Sequence, residues 1–407
     1  MPGTSANGSG RSFTATYVDT ADRRLARAGI ALRRRVEKGQ SIWEARIGET
    51  TVSAPGGPAQ PPEELQRVLG ALLRGQEVVQ VGRLRRGKND VALLDGQKVL
   101  QSYAGMDEAL EHLLVAPPGD AAPRKDAPAV EHVRCYLRTQ LEQIERHDPA
   151  VRIGSDTEDL HKLRVAVRRS RAALREARKV LDPEQGRFLR RELKWLGQRL
   201  GPARDLDVLL MWVIPQLAEL DGSDAVPGGK IVAQLEAERE AAQLELLATL
   251  DSSRYAELLA TFERFVNAPP AAAGDVSLER VAVREFRKLE RLVKSLGDDS
   301  SNDDLHRARI QAKRLRYATE LSSQLLGKSG EKLVAAAKTF QDVVGAHQDA
   351  VVAENHIRAA VRRSRAVGTA LAAGRLIERE RAGRAEARAR VPEAWKKLRR
   401  SAQAALG

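Results

Sequence analysis

Two stretches of this chain write one helix twice. "HKLRVAVRRSRAALR" at residues 161–175 and "HRARIQAKRLRYATE" at 306–320 each open on a histidine and carry basic residues at matching offsets, 145 residues apart. A repeat of that length is one structural unit used twice rather than a solenoid period. Its natural product is a pair of packed helical bundles with approximate twofold symmetry.

At 100° per residue, His161, Arg164, Arg168, Arg171 and Arg175 fall within an arc of roughly 80°. Leu163, Val167, Ser170 and Leu174 occupy a separate stripe suited to packing. His306, Arg309, Lys313 and Arg316 repeat the basic offsets, with Glu320 where the last arginine would stand, and Lys194 corresponds to Lys338. Like charges at helical spacing cost a few tenths of a kcal/mol per pair, which a bound polyanion would offset. A charged helix is ordinarily a solvated face with internal ion pairs, and a histidine near a helix start is ordinarily structural. The 161–175 face, however, contains no acid, its nearest being Asp159 and Glu176, and the arrangement occurs twice.

Charge over the whole chain agrees. Among 407 residues, 68 Lys and Arg against 55 Asp and Glu give a formal charge of +13, which favours an anionic partner such as a phosphate polymer, nucleic acid or an acidic surface. Aromatic residues are only 4%, and the dominance of Ala, Leu, Arg and Glu predicts a mainly helical fold. The single cysteine, Cys135, excludes an internal disulfide or a multi-cysteine zinc site. The N-terminus lacks an apolar core of signal-peptide length, and no run of about eighteen apolar residues occurs. A cytoplasmic protein with no membrane partner is expected.

The Pro-rich "VAPPGDAAPRKDAP" marks a boundary, giving a small α+β unit at 1–115, a linker at 116–128 and a helical region at 129–407. In the first unit "FTATYVDT" and "SIWEARIG" alternate like strands, Gly29 marks a turn, and "PPEELQRVLGALL" and "MDEALEHLL" look helical. In the second, Val133, Leu137, Leu141 and Ile144 form one stripe, and Ser155 with Glu158 offers a capping box to the first histidine helix. Leu189, Leu193, Leu196 and Leu200 form another, which Gly201 and Pro202 are expected to end before "ARDLDVLLMWVIPQL" begins a new helix. The break "NAPPAAAG" separates repeat one, 129–266, from repeat two, 275–407. There an acidic cap "SSNDDL" precedes His306, and Leu333, Ala337, Phe340 and Val344 form a stripe ending at Gly345. Asp205 and Asp349 each follow such a glycine and are expected to cap the next helix and orient nearby arginines.

Catalytic signatures are missing. The seven histidines show no HExxH spacing, and no GxSxG, P-loop or dinucleotide glycine pattern occurs, so neither a cofactor nor a metal is expected.

The paired H-x-x-R-[VI]-x-x-[RK]-R-x-R helices, followed by "LGPARDLDVLL" and "VVGAHQDAVVA", resemble the CHAD family, the conserved histidine α-helical domain, over roughly residues 126–407. The resemblance implies two pseudo-twofold-related antiparallel four-helix bundles with a basic groove or pore that binds inorganic polyphosphate. Its ligands would be His161, Arg164, Arg168 and Arg171 with His306, Arg309, Lys313 and Arg316, and Arg175, Arg190, Lys194 and Lys338 beside them. Association with polyphosphate granules would follow.

Upstream, "YVDTADRRLARAGIALRRR", "SIWEARI" and the strand pair "VGRLRRGKNDVALLDG" resemble part of a CYTH domain, the triphosphate tunnel fold. Such enzymes carry an E-x-E-x-K strand whose acids hold the metal, and nothing before Tyr17 supplies it. The segment is therefore read as a truncated, non-catalytic unit, in which Arg33, Arg35, Arg83 and Arg85 would meet any triphosphate. The alternatives to polyphosphate binding are a sequence-independent nucleic-acid binder and a metal-dependent triphosphatase acting through this unit.

Overall fold

The computed structural model describes residues 13–37, 39–87, 90–95, 97–117, 121–218, 222–269, 277–297, 300–362 and 367–407. The N-terminal stretch, part of the expected linker and most of the expected break between repeats lie outside the described residues. Two compact units form. One comprises the described residues up to Ala121 with Leu141–Leu163 and Leu250–Ala260; the other comprises Ala122–Gln140, Arg164–Thr249 and the described residues of Thr261–Gly407.

The first unit is built on a seven-stranded antiparallel sheet. Its strands are β1 (Phe13–Asp19), β2 (Ile30–Glu37), β3 (Gln40–Ile47), β4 (Thr50–Pro55), β5 (Val79–Arg86), β6 (Val91–Asp95) and β7 (Lys98–Tyr103), in the order β4-β3-β2-β1-β5-β6-β7. Between β1 and β2 lies α1 (Arg24–Ala28), closed by Gly29 at φ 74°, a left-handed cap that glycine adopts without a Cβ clash. α2 (Glu63–Val68) and α3 (Gly70–Leu73) bring Leu65, Leu69 and Leu72 against Leu32, Trp43 and Ala45 on one face of the sheet. α4 (Met106–Leu113) brings Leu110 and Leu113 against Ala15, Tyr17 and Leu84 on the other.

Strand register separates the four arginines of this unit. Tyr17 pairs with Arg33 and Ala15 with Arg35, whereas the intervening Thr16 and Thr14 pair with Arg83 and Arg85. Directly paired residues share a face and successive residues alternate, so Arg33 and Arg35 stand opposite to Arg83 and Arg85. Arg33 donates to Glu44 at 2.7 Å and to the Tyr17 hydroxyl at 3.0 Å, and Arg35 to Glu37 at 2.8 Å.

The remainder of the chain is helical: α5 (Ala129–Ile153), α6 (Thr157–Glu176), α7 (Pro183–Ala218), α8 (Gly222–Leu250), α9 (Ser253–Asn267), α10 (Leu278–Lys294), α11 (Asn302–Leu321), α12 (Ser323–Arg362), α13 (Val367–Ala389) and α14 (Val391–Leu406). The molecule is mainly α with a small α+β N-terminal part, as composition predicts. The apolar stripes are core: Val133, Ile144, Leu189, Leu193, Leu196, Leu200, Leu333, Ala337, Phe340 and Val344 are all fully buried. α10, α11, α12 and α14 share one core around Leu289, Leu315, Phe340 and Leu398.

Three local expectations are corrected. Gly201 and Pro202 do not end a helix, since α7 runs through them for 36 residues, and Gly345 lies inside α12. Pro202 is exposed, so water can satisfy the carbonyl that its missing N–H releases. Leu206, Leu210 and Val213, beyond the expected end, pack with Ile231, Leu235, Ile357 and Leu376, and this burial outweighs the local stop signal. Asp205 and Asp349 therefore cap nothing. At α6 the cap is Asp156, whose Oδ1 accepts from the Glu158 N–H at 2.9 Å, while the Ser155 hydroxyl donates to the Ala150 carbonyl at 3.3 Å. The acidic cap before His306 is a true capping box between Ser301 and Asp304. A glycine at position 327, φ 59° and ψ −146°, kinks α12 near its start.

Candidate functional site

The repeat is legible in how its arginines are held. Arg164 on α6 donates to Asp205 on α7 at 2.6 Å, and Arg309 on α11 reaches Asp349 on α12 at 3.4 Å. A Cβ on Gly201 would lie 3.8 Å from the Arg164 guanidinium, and one on Gly345 3.4 Å from that of Arg309. Each arginine thus lies over a helical glycine of the neighbouring helix, at a distance where a methyl would make no more than van der Waals contact. The sequence expectation that both aspartates orient arginines is met, though from mid-helix rather than from caps.

Beside these pairs the second unit contains a cleft of about 470 Å³ between α6, α7 and α11. Arg168, Arg171 and Arg175 line it from α6, Arg187, Arg190, Arg191 and Lys194 from α7, and Lys313, Arg314 and Tyr317 from α11. No carboxylate is among the lining residues. Arg175 pairs with Glu176 at 2.6 Å and Arg191 with Glu192 at 3.2 Å. Arg168, Arg171, Arg187, Arg190, Lys194, Lys313 and Arg314 have no ion-pair partner among the described residues. Arg168 is oriented instead by a neutral group, its Nε donating to the Tyr317 hydroxyl at 2.7 Å.

So many uncompensated charges at close quarters perturb one another. Burial, with Arg309 and Arg168 beside it, lowers the Lys313 ammonium to a pKa of about 7. Burial likewise lowers Arg171, with Arg175 and Arg190 adding. Asp349 moves the other way: burial pushes its carboxyl up against the pull of Arg309 and Lys313, and Asp205 and Asp342 add to the rise.

Of the residues expected from the sequence, the cleft gathers Arg168, Arg171, Arg175, Arg190, Lys194 and Lys313. Arg164 and Arg309 are engaged with Asp205 and Asp349. His161 is half-buried on α6 three residues before Arg164, and His306 is half-buried on α11 with its Nδ1 unpartnered. Lys338 is exposed on α12 and outside the cleft lining. Arg316 is buried, 3.3 Å from Glu320 and stacked over the Tyr317 ring at 4.9 Å. Glu320, the residue that breaks the repeat, thus serves packing: it also takes Arg169 at 3.1 Å and the Tyr136 hydroxyl at 3.0 Å. The 161–175 helix is accordingly compensated in part, by acids on other helices.

Arg187, Arg191 and Arg314 are the cations that the sequence reading missed. Arg187, Arg190, Arg191 and Lys194 follow the i, i+3, i+4, i+7 spacing of one helical face, which is a detectable signal. Arg314 adjoins Lys313 and is identified only by the tertiary arrangement.

The chemistry available is anion binding. Planar guanidinium forks donate paired hydrogen bonds to phosphate oxygens, and Arg168 to Arg175 rise about 10 Å along α6, room for several groups of a linear polyanion. Among the described residues no group of three or more His, Cys, Asp or Glu could hold a metal ion, and no helix is long and apolar enough to cross a membrane.

Two relatives from Mycobacterium tuberculosis, the uncharacterized proteins MT2285 and Rv2226, are each 26% identical to this chain, covering 85% of it and 82% of their own length. Among solved structures, the CHAD domain from the plant Ricinus communis is 28% identical with a TM-score of 0.55, covering 69% of this chain and 94% of that one. PptA from Streptomyces chartreusis shares the fold, with a TM-score of 0.56 at 23% identity over 66% of this chain and 100% of its own. Residues 135–358 match the CHAD domain, a span that includes α6, α7, α11 and every cation of the cleft, and the chain belongs to the CHAD domain family.

Proposed function

We propose that this protein binds inorganic polyphosphate in the cleft between α6, α7 and α11, as a binding protein rather than an enzyme. The observation that carries the proposal is the set of cations, Arg168, Arg171, Arg187, Arg190, Lys194, Lys313 and Arg314, that share one cleft with no acid on its wall. Such a concentration of like charge has an energetic reason to persist when an anion of high charge density occupies it. Membership of the CHAD family, with the ligand its resemblance implies, supports polyphosphate over other polyanions. In a cell that stores the polymer, the same affinity would bring the protein to polyphosphate granules.

Nucleic acid is the alternative ligand. Stacking of single-stranded bases calls for free aromatic faces, and the cleft's one aromatic, Tyr317, is covered by Arg316 and hydrogen-bonded to Arg168. A competition experiment decides: long-chain polyphosphate should displace duplex DNA at equal phosphate concentration, and the reverse result would favour nucleic acid. The triphosphatase reading has less support, because Arg33 and Arg35 stand on the face opposite to Arg83 and Arg85. Tripolyphosphate incubated with magnesium or manganese should release no phosphate, and a release abolished by Arg35→Ala would reinstate that reading.

A further inference from the structure

A second cavity, of about 430 Å³, lies in the same unit but has the opposite character. His132, Cys135, Tyr136, Thr139 and Gln140 line it from one face of α5, Arg169 from α6, and Glu320, Gln324, Glu331 and Val334 from the end of α11 and the start of α12. Its formal charge is negative, two carboxylates against one guanidinium, within a strongly basic protein.

Two of its polar side chains are more than nine-tenths buried and lack partners. His132 is 4% exposed with its Nε2 unpartnered, and Gln140, 5% exposed, makes no side-chain hydrogen bond among the described residues. A buried polar side chain without a partner is costly, so the placement of these two on a cavity wall points to something that satisfies them. Glu320 is already held by Arg169, Arg316 and the Tyr136 hydroxyl. Glu331 has no ion pair among the described residues.

We infer that this cavity binds a small organic amine. An ammonium has three donors and no acceptor, and the lining carries side chains that can accept from it, the Glu331 carboxylate and the Gln140 amide, with the His132 imidazole beside them on α5. Leu321, Val334 and the Tyr136 ring supply apolar surface for an alkyl chain. Anions are disfavoured by the carboxylates, so this site and the phosphate cleft select opposite charges and stand independently of one another.

Cys135 lines the cavity and is the single cysteine of the chain, which makes its alkylation a built-in reporter. In the full chain, putrescine or spermidine should slow the reaction of Cys135 with iodoacetamide several-fold and saturably. Butanediol, uncharged and of similar length to putrescine, and tripolyphosphate should leave the rate unchanged. Calorimetric titration of the same amines reads binding directly, whatever the intrinsic reactivity of the thiol. Glu331→Gln, an exposed substitution that spares the core, should weaken amine binding by about tenfold or more, the loss of one charge-assisted hydrogen bond. Calorimetry that detects no amine binding, equal protection by butanediol, or unchanged affinity in E331Q would overturn the inference.

Discussion

Arg168 donates from its Nε to the hydroxyl of Tyr317 across 2.7 Å, tying the first histidine-led helix to the second inside the cationic cleft. A neutral acceptor orients the guanidinium without neutralising it, so its charge stays available to a ligand. Tyr317 is 4% exposed. Tyr317→Phe should cost about 0.5 to 1.5 kcal/mol of stability, the net contribution of one hydrogen bond whose donor sits on a half-buried side chain, measured by urea denaturation. The ring that Arg316 covers is retained, so helix content should not change.

Lys313 makes ligand binding pH-dependent. Its pKa is lowered to about 7 by burial, with Arg309 and Arg168 contributing, against about 10.4 in an unfolded chain. Between these values the unfolded state binds more protons than the folded one, so Lys313 makes stability rise with pH across that window, by at most about 1.4 kcal/mol per pH unit. Its desolvation cost is fully present below pH 7. A polyanion favours the charged ammonium, so binding just above pH 7 should take up a proton and affinity should fall as pH rises. Calorimetry in buffers of different ionisation enthalpy measures the uptake, which Lys313→Met should abolish while stabilising the free protein most at low pH.

Gly201 and Gly345 should respond differently to alanine. Each sits in a helix interior, where alanine is favoured by about 1 kcal/mol. At Gly201 the new methyl meets Arg164 at 3.8 Å, an ordinary contact, whereas at Gly345 it meets Arg309 at 3.4 Å, the margin at which the guanidinium must give. Thermal unfolding should show Gly201→Ala to be the more stabilising of the two, and equal gains would mean that Arg309 moves aside freely.

Glu320 holds a buried arginine. With Arg316 7% exposed and 3.3 Å away, and Arg169 at 3.1 Å, Glu320→Ala leaves a buried charge unpaired. The expected loss is about 3 kcal/mol or more in denaturant unfolding, and Arg316→Met in the same chain should recover part of it.

Much of this was legible from periodicity. Leu189, Leu193, Leu196 and Leu200 announce the buried side of α7 because a 3.6-residue period is a property of one helix alone. The spacing from Arg164 to Arg175 likewise announces a basic face. Where α7 ends was not legible: Gly201 and Pro202 are strong local stop signals, overridden by the burial of Leu206, Leu210 and Val213 against α8, α12 and α13. The division of the basic residues was hidden for a similar reason. Arg171 and Arg316 occupy equivalent sequence positions, yet one lines the cleft and the other is buried against Glu320, because the residue four positions onward is an arginine in one copy and a glutamate in the other. In the sheet, paired arginine strands suggested one binding face, and only the register of β1 with β2 and β5 put Arg33 and Arg83 on opposite sides.

The central claim is tested most directly by titrating long-chain polyphosphate into the full protein and into the double variant Arg168→Glu with Lys313→Glu across a range of salt. Several phosphate contacts in the unaltered cleft predict tight binding whose logarithm falls linearly with the logarithm of salt concentration, with a slope of about −5 if all seven unpaired cations engage. The double variant should keep its helical circular dichroism and lose polyphosphate affinity. Undiminished affinity and an unchanged salt slope in that variant would contradict the account and place the polyphosphate site elsewhere on the chain.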